Sequence, residues 1–429
     1  MWKILSVILT GICVSLFFFP FEFTFLPGIN TKMMLAVAGI VIGLIFYAQK
    51  RWMTISKGFV YIGVYSLLVS IVGVAAVVLN GTNDFAYATY FVSMSVWLSA
   101  AFFTCCLIRA THGEINVQLV INYLMIVCVF QCFFALLINQ SPFIKSFVGE
   151  YFSLQQDFLD ASNVKRLYGI GAALDTAGVR FSAVLIMIAT VLSHRNRGIH
   201  QYHDYFYLIC FFVIIVVGCM ISRTTSVGAF LAIVILFHNG TNVFKDKLLA
   251  EFLVVLLGIT IIVIFFYHRI PEIERLIQFG FEGFFNLFET GDFSTSSTDR
   301  LKTMYVFPES LHTWIIGDGY FSNPYLDPYY VGEFIGGFYM GTDVGYLRFI
   351  FYFGVIGLIS FSIFMFVASR ECSVMLPDYK NMFSAILLLG FLIWLKVSTD
   401  IFLVFALFIC VGNMQEQDKL SDPTTSTEL

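Results

Sequence analysis

The sequence predicts an all-α polytopic membrane protein, and two observations support this prediction. Of the 429 residues, 59% are hydrophobic, 12% are charged and 50 are phenylalanine, a composition far from that of a soluble domain. The apolar residues also form long runs, and about 20 apolar residues at about 1.5 Å each cross a hydrocarbon core. The chain is therefore expected to form a bundle of membrane-spanning helices.

Twelve apolar runs are candidate spans: residues 4–19, 33–49, 58–79, 88–108, 117–138, 176–193, 205–222, 224–238, 248–267, 347–369, 381–395 and 401–413. The first run ends before Pro20, and because no small-residue cleavage site follows it, we interpret it as an anchor rather than a signal peptide. Residues 1–414 are thus expected to form the transmembrane domain. The polar, Ser/Thr-rich residues 415–429 are expected to be a disordered cytoplasmic tail.

Basic residues predict which side of the membrane each connection faces. One set of termini and short loops contains twelve Lys and Arg residues, whereas the short loops opposite contain Lys32, Arg223 and Lys396. Positive charge favours the cytoplasm, so both termini are expected there. The two long connections, residues 139–175 and 268–346, are then expected on the outer face of a bacterial inner membrane.

Several kinds of site are not expected in these loops. Neither long loop contains any of the nine cysteines, so no disulfide framework or Cys-based metal site is predicted there. No Walker-type GxxxxGK[ST] motif occurs in an inner loop. We therefore expect no metal, no cofactor and no nucleic acid partner.

The second long loop begins with an apolar stripe. Residues 271–289 carry apolar side chains at helical spacing, namely Ile273, Ile277, Phe281, Phe284 and Phe288. The stripe predicts one amphipathic helix, which either packs against the bundle or lies at the bilayer surface. In either position it would shape an entrance.

The same loop continues with a Ser/Thr run that predicts a helix start. Ser297 or Thr298 is expected to cap a helix whose first turn contains Asp299 and Arg300. A guanidinium beside free amide N–H groups offers a planar fork of donors to phosphate oxygens. Arg300 either completes such an anion site or is a plain solvated arginine.

Arg223 lies in the tight turn between two apolar runs, and the second run is too short to cross the membrane unless the turn is sunk below the interface. A buried cation is strongly disfavoured without a partner. Arg223 therefore either faces a water-filled cavity or a bound anion, or it forms an internal ion pair.

The first long loop places two basic residues on either side of a glycine-rich turn. Arg166 precedes Gly169 and Gly171, and Asp175 and Arg180 follow them. The glycines permit close approach of the backbone, either to a ligand or to lipid headgroups. Five arginines are expected at or just under the outer face, a grouping that suits a polyanion: Arg166, Arg180, Arg223, Arg300 and Arg348.

These motifs resemble the Wzy-type polymerases of O-antigen and capsular polysaccharide, which belong to a superfamily shared with the O-antigen ligases. The resemblance extends from about residue 58 to 413 and rests on Arg-Leu-Tyr-Gly at 166–169, Ile-Ser-Arg-Thr at 221–224 and Thr-Asp-Val-Gly-Tyr-Leu at 342–347. Where the ligases have His-Asn, this chain has Thr342-Asp343, although Gly-Val-Ile-Gly at 354–357 matches the element that follows. The departure favours a polymerase over a ligase.

The resemblance implies the membrane-embedded type C glycosyltransferase fold and a metal-independent reaction. A growing glycan would move from undecaprenyl diphosphate to the terminal sugar of another lipid-linked repeat unit, as in lipopolysaccharide or capsule synthesis. The implied partners are the lipid-linked oligosaccharide, the bilayer, a flippase and a chain-length regulator. An O-antigen ligase and a lipid or oligosaccharide transporter remain alternatives.

Roles follow from the chemistry of this reaction. Arg223 and Arg300 are expected to stabilise charge on the departing diphosphate. Asp343 is the first candidate for the base that takes the acceptor proton, ahead of Asp175 and His312, although Asp343 could simply pair with Arg348 and His312 could be a solvated loop residue. The expected substrate-binding residues are Arg166, Arg180, Arg348, Asp175 and His312.

Overall fold

A computed structural model describes residues 2–49, 57–153, 166–194, 201–238, 242–267, 269–323 and 338–421. The helices, in chain order, are α1 (Trp2–Phe18), α2 (Thr31–Ala48), α3 (Lys57–Asn80), α4 (Tyr90–His112), α5 (Val117–Gln140), α6 (Pro142–Tyr151), α7 (Leu174–His194), α8 (Gln201–Ile221), α9 (Thr225–His238), α10 (Asn242–Tyr267), α11 (Pro271–Gly280), α12 (Glu282–Thr290), α13 (Ser296–Thr303), α14 (Leu311–Ile315), α15 (Gly345–Met375), α16 (Lys380–Ile393) and α17 (Phe402–Ser421). Short 3₁₀ turns occupy Tyr339–Gly341 and Pro377–Tyr379. Strands β1 (Glu22–Phe23) and β2 (Phe152–Ser153) pair antiparallel, with Glu22 opposite Ser153.

The helices confirm an all-α polytopic membrane protein. Eight helices in the described part of the chain are long and apolar enough to cross a membrane: α2, α3, α4, α5, α7, α8, α10 and α15. Every one of the twelve predicted spans overlaps a helix, but α1, α9 and α16 have only 17, 14 and 14 residues. The count of twelve spans therefore stays a prediction.

The chain divides into two compact units. The first comprises Met1–Leu35 and Thr104–Ser294, and the second comprises Ala36–Phe103 and Thr295–Leu429. The first long loop and the start of the second, as far as Ser294, lie in the first unit. The remainder of the second loop, from Thr295, lies in the second unit.

The first unit is built around α7. Every residue of α7 from Ala177 to Leu192 is buried. Small residues let α9 approach it closely, because Gly178 lies against the Ser222 side chain and Gly228 against Ser182. This contact fixes the turn that connects α8 to α9.

The predicted helix over residues 271–289 is divided in the structure. Phe281, with φ −117° and ψ 20°, leaves the helical conformation between α11 and α12. Ile277 is buried, whereas Phe284 and Phe288 are 51% and 86% exposed. The prediction of one continuous helix is wrong at Phe281, and the apolar stripe separates into a packing face on α11 and an exposed face on α12.

The helix α17 extends further than the sequence predicts. It continues to Ser421, so residues 415–421 are helical although they belong to the segment for which disorder is expected. Gln415, Glu416 and Gln417 are good helix formers, and polarity alone does not end a helix that apolar residues have begun. Residues 422–429 lie outside the described residues.

The second unit is built around α15, which packs against α3, α14, α16 and α17. This helix is broken in its interior, where Gly354 has φ 69° and ψ −174°. The break frees the carbonyls of Phe351 and Tyr352, which accept hydrogen bonds from the Asp318 amide at 2.6 Å and the Gly319 amide at 3.0 Å. Irregular backbone in a spanning helix requires such partners, because hydrocarbon offers none.

Substitution of Gly354 by Ala is expected to destabilise the protein strongly. The Gly354 backbone is in a region that L residues rarely adopt, and a Cβ there would overlap the Ile315 carbonyl. We expect a loss of about 3 kcal/mol or more in the free energy of unfolding. Reversible unfolding in detergent measures this change in the free energy of unfolding.

Gly63→Ala is the matched control, because Gly63 lies in α3 with no atom near the added Cβ. Equal stability of the Gly354→Ala and Gly63→Ala variants would contradict the role of the break.

Candidate functional site

In the first unit, α7 holds the turn that carries Arg223. Asp175 Oδ1 accepts hydrogen bonds from the hydroxyls of both Ser222, at 3.0 Å, and Thr224. Ser182, two turns further along α7, donates its hydroxyl to the Thr224 carbonyl at 3.1 Å. Asp175 and Ser182 lie on one face of the helix, so this face positions the whole turn.

Arg223 points from this turn toward α11 and α12. Its Nε donates to the Phe279 carbonyl at 2.8 Å, its guanidinium carbon lies 4.2 Å from the centre of the Phe279 ring, and one terminal nitrogen forms an ion pair with Glu282. The Arg223 side chain is 13% exposed. The structure therefore contains the internal ion pair that the sequence analysis left as one of two possibilities.

Burial lowers the pKa of the Arg223 guanidinium from its ordinary value. The Glu282 carboxylate acts in the opposite direction on this pKa, and the positive charge of Arg166 lowers it further. An arginine starts from a pKa so high that the side chain stays charged.

Arg166 lies on the same aromatic ring as Arg223. Its guanidinium carbon is 5.0 Å from the centre of the Phe279 ring. The next residue, Leu167, donates its amide to the Met220 carbonyl at 3.2 Å, which ties this loop to the end of α8. The structure thus brings two of the predicted arginines together on one ring, with the Glu282 carboxylate paired to Arg223.

The glycine-rich turn after Arg166 approaches protein atoms closely. The Gln131 side chain pairs with both polar groups of Ile170, accepting from its amide at 3.1 Å and donating to its carbonyl at 3.0 Å. Gly171, at φ +68°, lies against the Phe19 carbonyl, where a Cβ would not fit. Gln131 is therefore a positioning residue that the sequence analysis missed, because a single glutamine in an apolar run predicts no partner.

Arg180 lies in α7 but on a different face from Asp175 and Ser182. It is 6% exposed, and its guanidinium carbon lies 5.6 Å from the centre of the Phe19 ring. Its Nε has no hydrogen-bond partner, and no ion pair joins Arg180 to the residues that the structure describes. A buried cation in this situation is costly unless an anion accompanies it.

In the second unit, Arg348 and Asp343 form a pair with 3.7 Å between Nη1 and Oδ1. Arg348 also donates to the Ser398 hydroxyl and to the Phe321 carbonyl, each at 2.9 Å. Asp343 is 25% exposed. The structure thus contains the pairing with Arg348 that the sequence analysis named as an alternative role for Asp343.

Arg300 does not occupy the predicted first turn. Thr295 caps α13, its hydroxyl accepting from the Thr298 amide at 3.0 Å, so the cap lies two to three residues earlier than predicted. Arg300 falls in the second turn and is exposed, and Asp299 pairs with Lys302 at 2.8 Å. The free amides of the first turn are therefore not beside Arg300.

His312 is exposed, and its Nε2 lies 2.9 Å from Asn80 Oδ1. Within the described residues no contact joins His312 or Arg300 to the Asp343–Arg348 pair.

No family model, curated protein or solved structure matches this chain.

Asp175 is expected to be structural rather than the base. Asp175→Ala leaves the buried Ser222 and Thr224 hydroxyls without this acceptor, and we expect a loss of about 2–4 kcal/mol in the free energy of unfolding. Asp175→Asn keeps an acceptor oxygen and should lose far less. Thermal unfolding in detergent compares the two, with Asp292→Ala, an exposed aspartate of the same unit, as control. A stable Asp175→Ala protein would contradict this role.

Proposed function

We propose that this protein is a glycosyltransferase that polymerises a polysaccharide from undecaprenyl diphosphate-linked repeat units at the outer face of a bacterial inner membrane. The single observation that carries the proposal is Arg180, a guanidinium buried in a membrane-spanning helix without an ion pair among the described residues. Such a residue usually pairs with a bound anion or faces a hydrated cavity.

The ligand of Arg180 must combine negative charge with access to the membrane interior. A diphosphate on a lipid tail has both properties, whereas a free nucleotide has only the first. A guanidinium binds phosphate oxygens through parallel N–H donors. Arg166 and Arg223, which share the Phe279 ring in the same unit, are proposed as further ligands of this diphosphate.

The proposed reaction uses the diphosphate as its own leaving group. The acceptor hydroxyl oxygen bonds to the anomeric carbon of the donor glycan while the bond from that carbon to the diphosphate oxygen breaks. The diphosphate leaves with the bonding electrons, and a guanidinium stabilises its charge, a role proposed for Arg223. The acceptor proton moves to a carboxylate, for which Asp343 is proposed.

A transporter is the alternative with a specific observation in its favour, because broken helices such as α15 form binding sites in many transporters. In this chain, however, Asp318 and Gly319 already bind the carbonyls freed at the break. A ligase differs from a polymerase only in its acceptor. Thr342-Asp343, where the related ligases have His-Asn, is the reason to propose a polymerase.

The proposal is tested with detergent-purified protein and a purified undecaprenyl diphosphate-linked repeat unit, with EDTA present and no nucleotide. We expect a ladder of glycan lengths. Unchanged single repeat units with the cognate substrate would refute the polymerase. Transfer to a lipid A core acceptor instead would identify a ligase.

Substitution of Arg180 by Met is expected to separate stability from function. Removing a buried charge without an ion pair should raise the free energy of unfolding by about 1–3 kcal/mol. The same change should abolish the ladder, because the diphosphate loses its partner. Arg275→Met, at an exposed arginine of the same unit, is the matched control and should change neither. A normal ladder from the Arg180→Met protein would exclude Arg180 from substrate binding.

Substitution of Asp343 by Asn is expected to lower the rate of transfer at least about 100-fold, because the amide cannot take the acceptor proton. Binding of the lipid-linked repeat unit should change little. Asp299→Asn, at an exposed aspartate of the same unit, is the control. An unchanged rate in Asp343→Asn would exclude Asp343 as the base and leave His312 as the remaining candidate.

A further inference from the structure

We propose that Glu282 is an internal counter-ion of the Arg223 guanidinium and that the diphosphate of the lipid substrate displaces it. Helix α12, which carries Glu282, is then a gate over Arg223. The identity of the displacing anion rests on the proposed function. The displacement itself is a property of this ion pair.

The contacts of Arg223 divide into a fixed set and an exchangeable one. The Nε donates to a backbone carbonyl, that of Phe279, and the guanidinium stacks on the Phe279 ring. These two contacts orient the side chain and do not depend on Glu282. The terminal nitrogen bonded to Glu282 presents its N–H groups to a carboxylate oxygen, a position that a phosphate oxygen can take equally well.

The helix that carries Glu282 is loosely held. Gly283 is the buried residue of α12, and no side chain caps the start of this helix. Phe281, immediately before Glu282, already departs from helical geometry. With one buried residue, α12 is held less firmly than the Arg223 turn, which is fixed by Asp175 and Ser182.

The position of Glu282 has a consequence for specificity. The carboxylate already neutralises part of the positive charge of Arg166 and Arg223, so an incoming anion has to compete with it. A diphosphate with its higher charge competes better than inorganic phosphate does. Glu282 would thus exclude simple anions from the site while admitting the diphosphate.

Anion binding to the detergent-purified full chain tests the proposal, with inorganic pyrophosphate and inorganic phosphate as probes in calorimetric titrations. We expect Glu282→Gln to bind pyrophosphate about tenfold more tightly than wild type, because one competing negative charge is removed. The variant should also gain measurable affinity for inorganic phosphate. Glu289→Gln, at an exposed glutamate of the same helix, should bind as wild type does.

A second substitution identifies the partner. In an Arg223→Gln background, the Glu282→Gln change should have no effect on affinity, since the guanidinium for which the anions compete is absent. A structural role of Glu282 predicts the opposite of our result, namely weaker pyrophosphate binding in Glu282→Gln because Arg223 loses its support. Equal or weaker binding by the folded Glu282→Gln protein overturns the proposal. Glu282→Ser replaces it if the glutamine variant fails to fold.

The two proposals fail separately. If the wild-type protein produces a glycan ladder but Glu282→Gln binds pyrophosphate no more tightly than wild type, displacement is refuted and the proposed polymerase activity stands. An affinity gain without any ladder would establish displacement at an anion site and refute the polymerase.

Discussion

The absence of water in the membrane interior is the constraint on which this structure depends. Each polar group there needs a partner from the protein, and both units show how distant parts of the chain supply it. In the second unit, the amides of Asp318 and Gly319 bind the carbonyls freed by the break in α15. In the first unit, Gln131 pairs with both backbone groups of Ile170, and Asp175 accepts from two buried hydroxyls. Arg180 differs from these groups, because its charge has no ion-pair partner among the described residues.

The helices could be predicted from the sequence because apolar run length is a local property. Each of the twelve runs overlaps a helix, and the position of Arg223 in a tight turn was also readable, since the runs on both sides of it are contiguous in sequence. The interruptions of these helices could not be predicted from the sequence. Phe281 and Gly354 lie inside apolar patterns that continue across them, and each break is determined by what packs against it.

Sequence-based prediction was also limited for contacts between residues that are far apart in the chain. The sequence offered an internal ion pair for Arg223 without identifying the acid, because Glu282 is far along the chain and lies in a segment interpreted as one continuous amphipathic helix. Phe279, the ring that Arg166 and Arg223 share, gave no signal beyond its hydrophobicity. By contrast, the pairing of Asp343 with Arg348 was named as one possibility, since the two residues are only five positions apart in the sequence.

The break in α15 also sets an order of steps in the synthesis and folding of the protein. This helix has 31 residues, so an unbroken one would be about 46 Å long, well beyond a hydrocarbon core of about 30 Å. The turn that occupies the break, around Asp318, is synthesised before the carbonyls of Phe351 and Tyr352 to which it binds. During synthesis, the turn that binds the break is therefore complete before the break itself has formed. The segment from Leu311 to Gly319 therefore cannot form these hydrogen bonds until α15 has been synthesised, and its own polar groups need other partners in the meantime.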